Sequence, residues 1–406
     1  MATGFLRPYL DLLTVRGGWR FSLAAWFGRI IRSTAGIGAI LLVAARSDNY
    51  ALAGAVSGSV VLGSAIAGPV WSRAADSRGQ TRVLPFAIAS SALAAAALVV
   101  AVELGGPEWT WFGAALLVGA TSIDAGSLAR ARWIHLLPSA ERRHTALALE
   151  SVGDEFTFVI GPPVVTLLAG LVSPVFGFAV GVGLSLLGLA ALVVQRSTAP
   201  KPEPVAVGGG RWLPAGVIGL LPGYAGVGLV FGSVDLTAVG VARETGTPAV
   251  AGLLLAVFAV GSVSSGFVFG SVSAGWRPLW RLGAASLAFA AVAPLFLVVH
   301  EVPVLALVSL AAGIVTTPVL ISGASLIESV VARSVITTAM AWPTVALSLG
   351  VTVGATLAGA AIDERGSWAG LIVPALAGLL VGASGLANAV IRSRLRSADH
   401  LRDGPR

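Results

Sequence analysis

Long apolar runs alternate with short polar segments along nearly the whole chain. A helix needs about 20 mostly apolar residues to cross a bilayer, and the runs supply that length repeatedly. The first six predicted spans are Arg20–Ala45, Tyr50–Ser72, Val83–Val102, Trp111–Ile134, Thr145–Val172 and Pro174–Val194. The second six are Trp212–Val239, Pro248–Val272, Leu282–Val299, Val304–Ile327, Val335–Ile362 and Trp368–Ile391. The pattern predicts an all-α membrane protein with twelve transmembrane helices, called spans 1 to 12 below.

A polar segment separates span 6 from span 7. It contains Pro200, Pro202 and Pro204 and the triplet Gly208-Gly209-Gly210, a mixture that resists regular structure. The sequence therefore predicts five parts: a cytoplasmic segment 1–19, a six-helix bundle 20–195, a linker 196–211, a second six-helix bundle 212–391 and a cytoplasmic tail 392–406.

The two predicted bundles share a faint internal repeat. Gly63-Ser64 in span 2 recurs 198 residues later as Gly261-Ser262 in span 8, and Ser127-Leu128 recurs at the same offset as Ser325-Leu326. A constant offset equal to six helices and a loop indicates two pseudo-symmetric halves, as in many transporter folds.

The basic residues predict the orientation, because Lys and Arg are retained on the cytoplasmic side. Of the 26 Lys and Arg residues, 21 fall in the loops and tails on the side of the N-terminus. Only Arg46, Arg243 and Arg365 fall on the other side, and Arg29 and Arg32 lie inside span 1. We therefore expect a multi-pass protein of the inner (plasma) membrane with both termini in the cytoplasm.

Composition excludes several classes of function. Charged residues make up 11% of the chain, against about a quarter in soluble proteins. The chain has no cysteine, and its four histidines lie far apart, so neither a metal site nor a cofactor is expected. The basic residues form no single tract that would bind nucleic acid. No nucleophile and base show a catalytic spacing, so an enzyme is not expected, and a membrane sensor is a further, less favoured class.

The loop after span 2 has a distinctive order of small, acidic and basic residues. It runs Gly-Pro-Val-Trp-Ser-Arg-Ala-Ala-Asp-Ser-Arg-Gly-Gln-Thr-Arg over residues 68–82. This resembles the loop between helices 2 and 3 of major facilitator superfamily transporters. The resemblance implies the major facilitator fold and a cytoplasmic gate formed by Gly68, Arg73, Asp76, Arg78, Gly79 and Arg82. Gln80 departs from the family pattern, which often has a basic residue there. Asp76 can stabilise a helix N-terminus and pair with a nearby arginine.

Span 5 carries Gly161-Pro162 after Gly153. The pair partly resembles a Gly-Pro motif of the family's drug and metabolite:proton antiporters, bacterial proteins included, where it is thought to bend helix 5. The resemblance implies export, although Pro163 and Val164 replace the usual small residues.

Ionisable residues inside spans are costly and by default indicate function. At about 1.5 Å per residue, Arg29 and Arg32 lie about 14 and 18 Å from the inner end of span 1. Asp124, Asp154 and Glu155 lie at about the same depth, and Glu150 is one turn below Asp154. These six residues are the predicted proton-coupling site in the central cavity. Alternatively, they form an ion-pair network that only holds the first bundle together. Asp235, near the outer end of span 7, is a candidate outer gate.

The leading hypothesis is a monomeric, proton-coupled exporter of an amphipathic small molecule, drug-like or a secondary metabolite. Its partners would be the substrate, protons and the lipid bilayer. The alternative is a proton-coupled importer or a facilitator of a small nutrient or organic ion. The nearly charge-free second half disfavours a heavily hydroxylated substrate.

Overall fold

The computed structural model describes residues 2–47, 50–202, 213–246, 249–272 and 275–402. Within these ranges twelve helices are long and apolar enough to cross a membrane. The twelve predicted spans and the all-helical fold are therefore confirmed.

Sixteen α-helices make up the described part of the chain. They are α1 (Ala2–Leu13), α2 (Gly18–Gly28), α3 (Ile30–Ser47), α4 (Tyr50–Arg78), α5 (Gln80–Glu103), α6 (Glu108–Thr121), α7 (Ala125–Leu136), α8 (Ala140–Leu171), α9 (Pro174–Val194), α10 (Ala215–Ile218), α11 (Leu221–Glu244), α12 (Ala249–Val272), α13 (Pro278–Val292), α14 (Val302–Val330), α15 (Ile336–Arg365) and α16 (Ile372–Arg402). Six spans are a single α-helix, and spans 9, 11 and 12 combine an α-helix with a short 3-10 helix. Span 1 is α2 with α3, span 4 is α6 with α7, and span 7 is α10 with α11.

The ends of the spans differ from the predicted ones mainly on the side predicted to be cytoplasmic. Span 2 continues past Ser72 to Arg78, and span 5 begins at Ala140, where Ser139 caps the helix by accepting a hydrogen bond from the Arg142 N–H at 3.2 Å. Hydropathy ends a predicted span at the first charged residue, although arginine side chains can extend to water while their backbone stays helical. The predicted starts at Trp212 and Pro248, and linker residues 203–211, lie outside the described residues.

Both segments that flank the spans contain helix. The segment before span 1 forms α1, and α16 continues through the predicted tail to Arg402 instead of ending at Ile391.

The chain forms two compact units. Unit 1 comprises residues 1–214 together with 331–345, and unit 2 comprises 215–330 together with 346–406. The first residues of span 11 thus pack with the first half of the chain, which the sequence did not predict. A large apolar core in unit 1 joins spans 1 to 4 and span 6. It lies at the ends of these spans that are remote from Gly18 and includes residues such as Leu42, Val56, Leu98, Val118 and Phe178.

The repeated glycines lie where helix backbones touch. In unit 1 a Cβ on Gly63 of span 2 would collide with the Leu116 carbonyl oxygen of span 4, and a Cβ on Gly119 with the Val60 carbonyl oxygen. In unit 2 Gly261 of span 8 and Gly313 of span 10 make the same reciprocal contact. Small residues allow such close approach of helices in membranes. Gly63 and Gly261, which the 198-residue repeat relates, therefore make the same kind of close backbone contact in the two units.

Candidate functional site

Two spans of unit 1 are interrupted at the depth of the predicted charges. In span 1, α2 ends at Gly28 and α3 begins at Ile30, with Arg29 between them at φ −91° and ψ −3°. In span 4, α6 ends at Thr121 and α7 begins at Ala125. Discontinuous helices are the usual place for substrate and ion sites in transporters.

Side chains give partners to several of the backbone groups freed by the break in span 4. Asp124 caps α7, because its Oδ1 accepts a hydrogen bond from the Gly126 N–H at 3.0 Å. On the other side of the break, the Trp71 indole donates to the Ala120 carbonyl at 2.8 Å, and Ser91 Oγ donates to the Thr121 carbonyl at 2.9 Å. Non-helical backbone at membrane depth is tolerated only when its polar groups are satisfied.

Arg29 and Glu150 form the enclosed part of the cluster. Arg29 Nη2 pairs with the Glu150 carboxylate, and Nη1 donates to the Glu150 carbonyl at 2.8 Å. Glu150 Oε1 also accepts from Ser22 Oγ at 2.5 Å and from the Trp133 indole at 2.8 Å. The side chains of Arg29 and Glu150 are 1% and 0% exposed, so this pair is sealed within the unit.

Asp154 is the centre of the cluster, because three arginines bind its carboxylate. Arg29 Nη1 donates to Oδ1 at 2.9 Å, and Arg32 Nη2 donates to Oδ1 at 3.3 Å. Arg130 of α7 binds Oδ2. The sequence placed Arg130 on the cytoplasmic side and counted Arg29 and Arg32 as the only cations of the site, which is wrong.

Arg32 is the accessible and loosely held arginine of the cluster. Its side chain is 19% exposed, its Nη1 is 3.9 Å from Asp124 Oδ1, and its guanidinium carbon lies 5.2 Å from the centre of the Phe158 ring. In the part of the chain that the structure describes, only one of its five N–H groups has an acceptor within hydrogen-bond distance, the Oδ1 of Asp154.

The structure brings five of the six predicted coupling residues into direct contact with one another. Asp124, the fifth, also accepts a hydrogen bond through Oδ2 from Thr344 Oγ1 of α15 at 3.2 Å, within unit 1. Glu155 is buried one residue further along α8, about 100° round the helix from Asp154. Three arginines thus face Asp124, Glu150 and Asp154, and Glu155 adds a further acid close to a charge-balanced network.

The loop after span 2 binds the start of α15, also within unit 1. Asp76 accepts hydrogen bonds from the N–H groups of Thr337 and Thr338, at 3.1 and 2.8 Å, and from Thr338 Oγ1 at 2.8 Å. A carboxylate at a helix N-terminus satisfies free N–H groups and complements the helix dipole. Among the described residues Asp76 makes no ion pair, so the expected pairing with an arginine is not seen.

Among the other residues predicted to form the gate, the structure gives a clear role to Gly79 but not to the arginines. Gly79 has φ +89°, a left-handed backbone value that residues with a side chain rarely adopt, and it turns the chain between α4 and α5. Gly68 lies inside α4 near Val345, while Arg73 is half-buried and Arg78 and Arg82 are exposed. None of these arginines takes part in the ion pairs around Asp154.

Gln80, which departs from the family pattern, binds an arginine that the sequence did not single out. Its Oε1 accepts from Arg132 Nε at 2.8 Å. The fully buried Arg132 also donates to the Leu192 and Gln195 carbonyls, at 2.9 and 3.0 Å, and to Thr198 Oγ1 at 2.8 Å. Arg132 therefore caps the end of span 6 and holds the first turn of the linker.

Two further candidates lie apart from the cluster. Helix α8 runs without interruption through Pro162, so the interrupted spans of unit 1 are spans 1 and 4 and not span 5 at Gly161-Pro162. A Cβ on Gly161 would lie 2.5 Å from Ser33 Oγ and 2.9 Å from Thr34 Cγ2, so this glycine allows close packing on span 1. Asp235 lies on α11 in unit 2, where its side chain is exposed.

Comparison with known proteins connects this architecture to one superfamily. Residues 21–222 match the model of the Major Facilitator Superfamily. Comparison with curated proteins finds no match.

Solved structures share the fold at low sequence identity. A bacterial homologue of the iron transporter ferroportin in an outward-facing state is 14% identical, with a TM-score of 0.72, covering 91% of this chain and 98% of its own. The human organic anion transporter MFSD10 (TETRAN) is 14% identical, with a TM-score of 0.67, covering 90% and 99%. A variant of the E. coli fucose:proton symporter FucP is 13% identical, with a TM-score of 0.67, covering 93% and 99%.

The match over residues 21–222 and the fold shared over about nine-tenths of the chain agree with the loop of residues 68–82 and the twelve spans. The chain is a multi-pass membrane protein with the major facilitator fold, and the first half of its sequence matches the Major Facilitator Superfamily.

Proposed function

We propose that this protein is a proton-coupled exporter of an amphipathic small molecule, drug-like or a secondary metabolite, that works by alternating access. Transport as such follows from the superfamily. The export direction rests on the likeness of Gly161-Pro162 to the antiporter motif, and the predicted inside position of both termini says which face of the protein meets the cytoplasm.

The observation that carries proton coupling is the position of Asp154. Its carboxylate is shared by arginines of two interrupted spans, Arg29 and Arg32 of span 1 and Arg130 of span 4. A shift of either span changes how many cations contact the carboxylate, and proton binding by a carboxylate depends on neighbouring cations. Asp154, with Glu155 beside it, is therefore our candidate for the acid that links proton binding to helix movement.

Asp76 is the proposed element of the cytoplasmic gate. Its hydrogen bonds to Thr337 and Thr338 join the loop after span 2 to the start of span 11. If alternating access moves these two spans apart, the bonds exist in one state only. They then set part of the free-energy difference between the two states. Asp235 is retained as a proposed outer-gate residue.

A second candidate function is supported by Arg32. Its four N–H groups without an acceptor among the described residues, and its contact with Phe158, suit a small organic anion with an apolar body. An anion that drew Arg32 away from Asp154 would favour proton binding by that acid. Substrate and proton would then bind together, as in a proton-coupled importer.

The sign of proton exchange on substrate binding separates the two candidates. We would test 2-naphthoate, 2-naphthamide and 2-(aminomethyl)naphthalene, one anionic, one neutral and one cationic probe on the same ring system. Proton movement would be followed with a pH indicator in weakly buffered detergent solution. Proton release on binding of the amide or the amine supports the exporter, whereas proton uptake with the naphthoate supports the importer.

The Asp154→Asn variant tests the coupling in proteoliposomes. A pH gradient should drive probe transport by the wild type but not by the variant, whereas probe exchange without a gradient should persist in both. Glu155→Gln is the matched variant one residue away. If both variants keep pH-driven transport, the cluster has only a structural role.

A further inference from the structure

Helix α1, which precedes span 1, is fixed to unit 1 along one side. Tyr9 and Leu12, three residues apart, are buried where α1 packs on α8. Arg142 of α8 donates from Nη2 to the Asp11 carbonyl at 3.1 Å. The helix therefore has a defined orientation at the end of unit 1 where span 1 begins.

A second side of α1 presents apolar side chains that unit 1 does not cover. Leu10 and Leu13, also three residues apart, are 56% and 53% exposed. Trp19, at the start of span 1, is 49% exposed. Tryptophan at the end of a span normally sits among lipid head groups, so the exposed leucines lie close to the membrane surface.

Positive charge surrounds these apolar side chains. Arg7, Arg16 and Arg20 are exposed, and the Arg20 guanidinium lies 5.5 Å from the centre of the Trp19 ring. Arg142 and Arg143 at the start of α8 add to this charge, while the exposed acids Asp11 and Glu141 oppose it. The surface carries more basic than acidic groups, in a segment that also exposes leucine and tryptophan.

We propose that this surface, formed by Arg7, Leu10, Leu13, Arg16, Trp19 and Arg20, binds the head groups of anionic phospholipids in the leaflet that borders the start of span 1. Leu10, Leu13 and Trp19 insert at the boundary between head groups and acyl chains, and the three arginines bind lipid phosphates. On the predicted orientation this is the cytoplasmic leaflet, in which anionic lipids attract basic segments next to spans.

The contact between α1 and α8 gives this lipid site a consequence for transport. Helix α8 carries Glu150 and Asp154, and α1 packs directly on the end of α8. Lipid that holds α1 at the surface therefore also holds one end of the helix on which the charge cluster is built.

The test uses the full-length protein in nanodiscs of phosphatidylcholine and of phosphatidylcholine with phosphatidylglycerol. Thermal unfolding and the lipid retained in native mass spectrometry are measured. For the wild type we expect a higher Tm with phosphatidylglycerol, and preferential retention of that lipid. Added salt should reduce the difference, because head-group charge is screened. Free glycerol phosphate in detergent should not replace the lipid, because it lacks the acyl chains that the leucines need.

Two variants separate the parts of the surface. Arg7→Gln/Arg16→Gln/Arg20→Gln should remove the preference for phosphatidylglycerol while keeping the Tm in phosphatidylcholine. Leu10→Gln/Leu13→Gln should weaken retention of both lipids. Leu104→Gln and Arg365→Gln are the matched controls and should behave as wild type. Both residues are exposed at span ends on the predicted outer side, whereas the proposed lipid site lies on the predicted inner side.

Three results would overturn the proposal. The first is an equal Tm and equal lipid retention in both nanodiscs for the wild type. The second is a loss of lipid preference in the control variants that equals the loss in the triple arginine variant. The third is a dimer that depends on Leu10 and Leu13, which would make this face an interface between two copies. None of these measurements involves transport, so their outcome is independent of the proposed function.

Discussion

Arg130 and Asp154, 24 residues apart in the sequence, form an ion pair between span 4 and span 5. The pair adds a third cation to the carboxylate that Arg29 and Arg32 already bind. One acidic side chain of unit 1 therefore joins spans 1, 4 and 5. Any movement between these spans must change the contacts of Asp154.

Arg29 and Arg32 lie three residues apart but should respond differently to the same substitution. Arg29→Gln leaves buried Glu150 without its cation, a loss that typically costs about 3–5 kcal/mol, so expression and Tm should fall sharply. Arg32→Gln removes one hydrogen bond of 3.3 Å, so the fold should persist while probe binding and transport fall. The two variants are compared by size-exclusion yield, thermal unfolding and flux. Equal yields, or normal flux in Arg32→Gln, would contradict the distinction between an enclosed and an accessible arginine.

Asp76→Asn should weaken the contact between the loop after span 2 and the start of α15. Hydrogen bonds to a charged group are worth about 1.5–3 kcal/mol, so loss of the charge should shift the balance of states and reduce transport at normal expression. Thr338→Val is the matched variant, because it removes only the side-chain hydroxyl bond and keeps both backbone bonds. We expect a smaller effect from Thr338→Val. Flux at the wild-type level in Asp76→Asn would show that the loop does not act as a gate.

Gly63→Ala should separate spans 2 and 4 and lower the Tm, because the new Cβ would collide with the Leu116 carbonyl. Gly58 lies on the same helix, and a Cβ there meets nothing within 4 Å. Gly58→Ala should therefore be neutral or stabilising, since alanine favours a helix over glycine by up to about 1 kcal/mol. Gly261→Ala, at the equivalent position of unit 2, should behave as Gly63→Ala. Similar Tm values for Gly58→Ala and Gly63→Ala would rule out a backbone contact at this glycine.

The predicted orientation can be tested with single cysteines, since the chain has none of its own. Cysteines at Ser139 and Ser197, exposed positions on the predicted inner side, should resist an impermeant thiol reagent in intact cells. Cysteines at Leu104 and Arg365, exposed at the opposite ends of their spans, should react. The reverse labelling pattern would invert the topology and place the lipid site in the outer leaflet.

The sequence by itself determined the number of spans, their approximate limits and the major facilitator fold. These properties depend on local hydropathy over about 20 residues and on short loop motifs, which need no knowledge of packing. It also placed Arg29, Arg32, Asp124 and Asp154 at one depth, because depth follows from counting residues along a helix of fixed rise.

Only the tertiary structure decided which of these charges meet, and how. Counting from the end of span 4 treats Arg130 as a residue of the cytoplasmic side, yet its guanidinium reaches Asp154 on span 5. The break before α7 carries no proline, and its one local sign is an N-cap pattern at Asp124. Packing also separates Arg29 from Arg32, since neighbours from spans 4 and 5 enclose the first and leave the second accessible. Burial and pairing depend on residues far apart in the sequence, and these contacts arise only when the helices pack together.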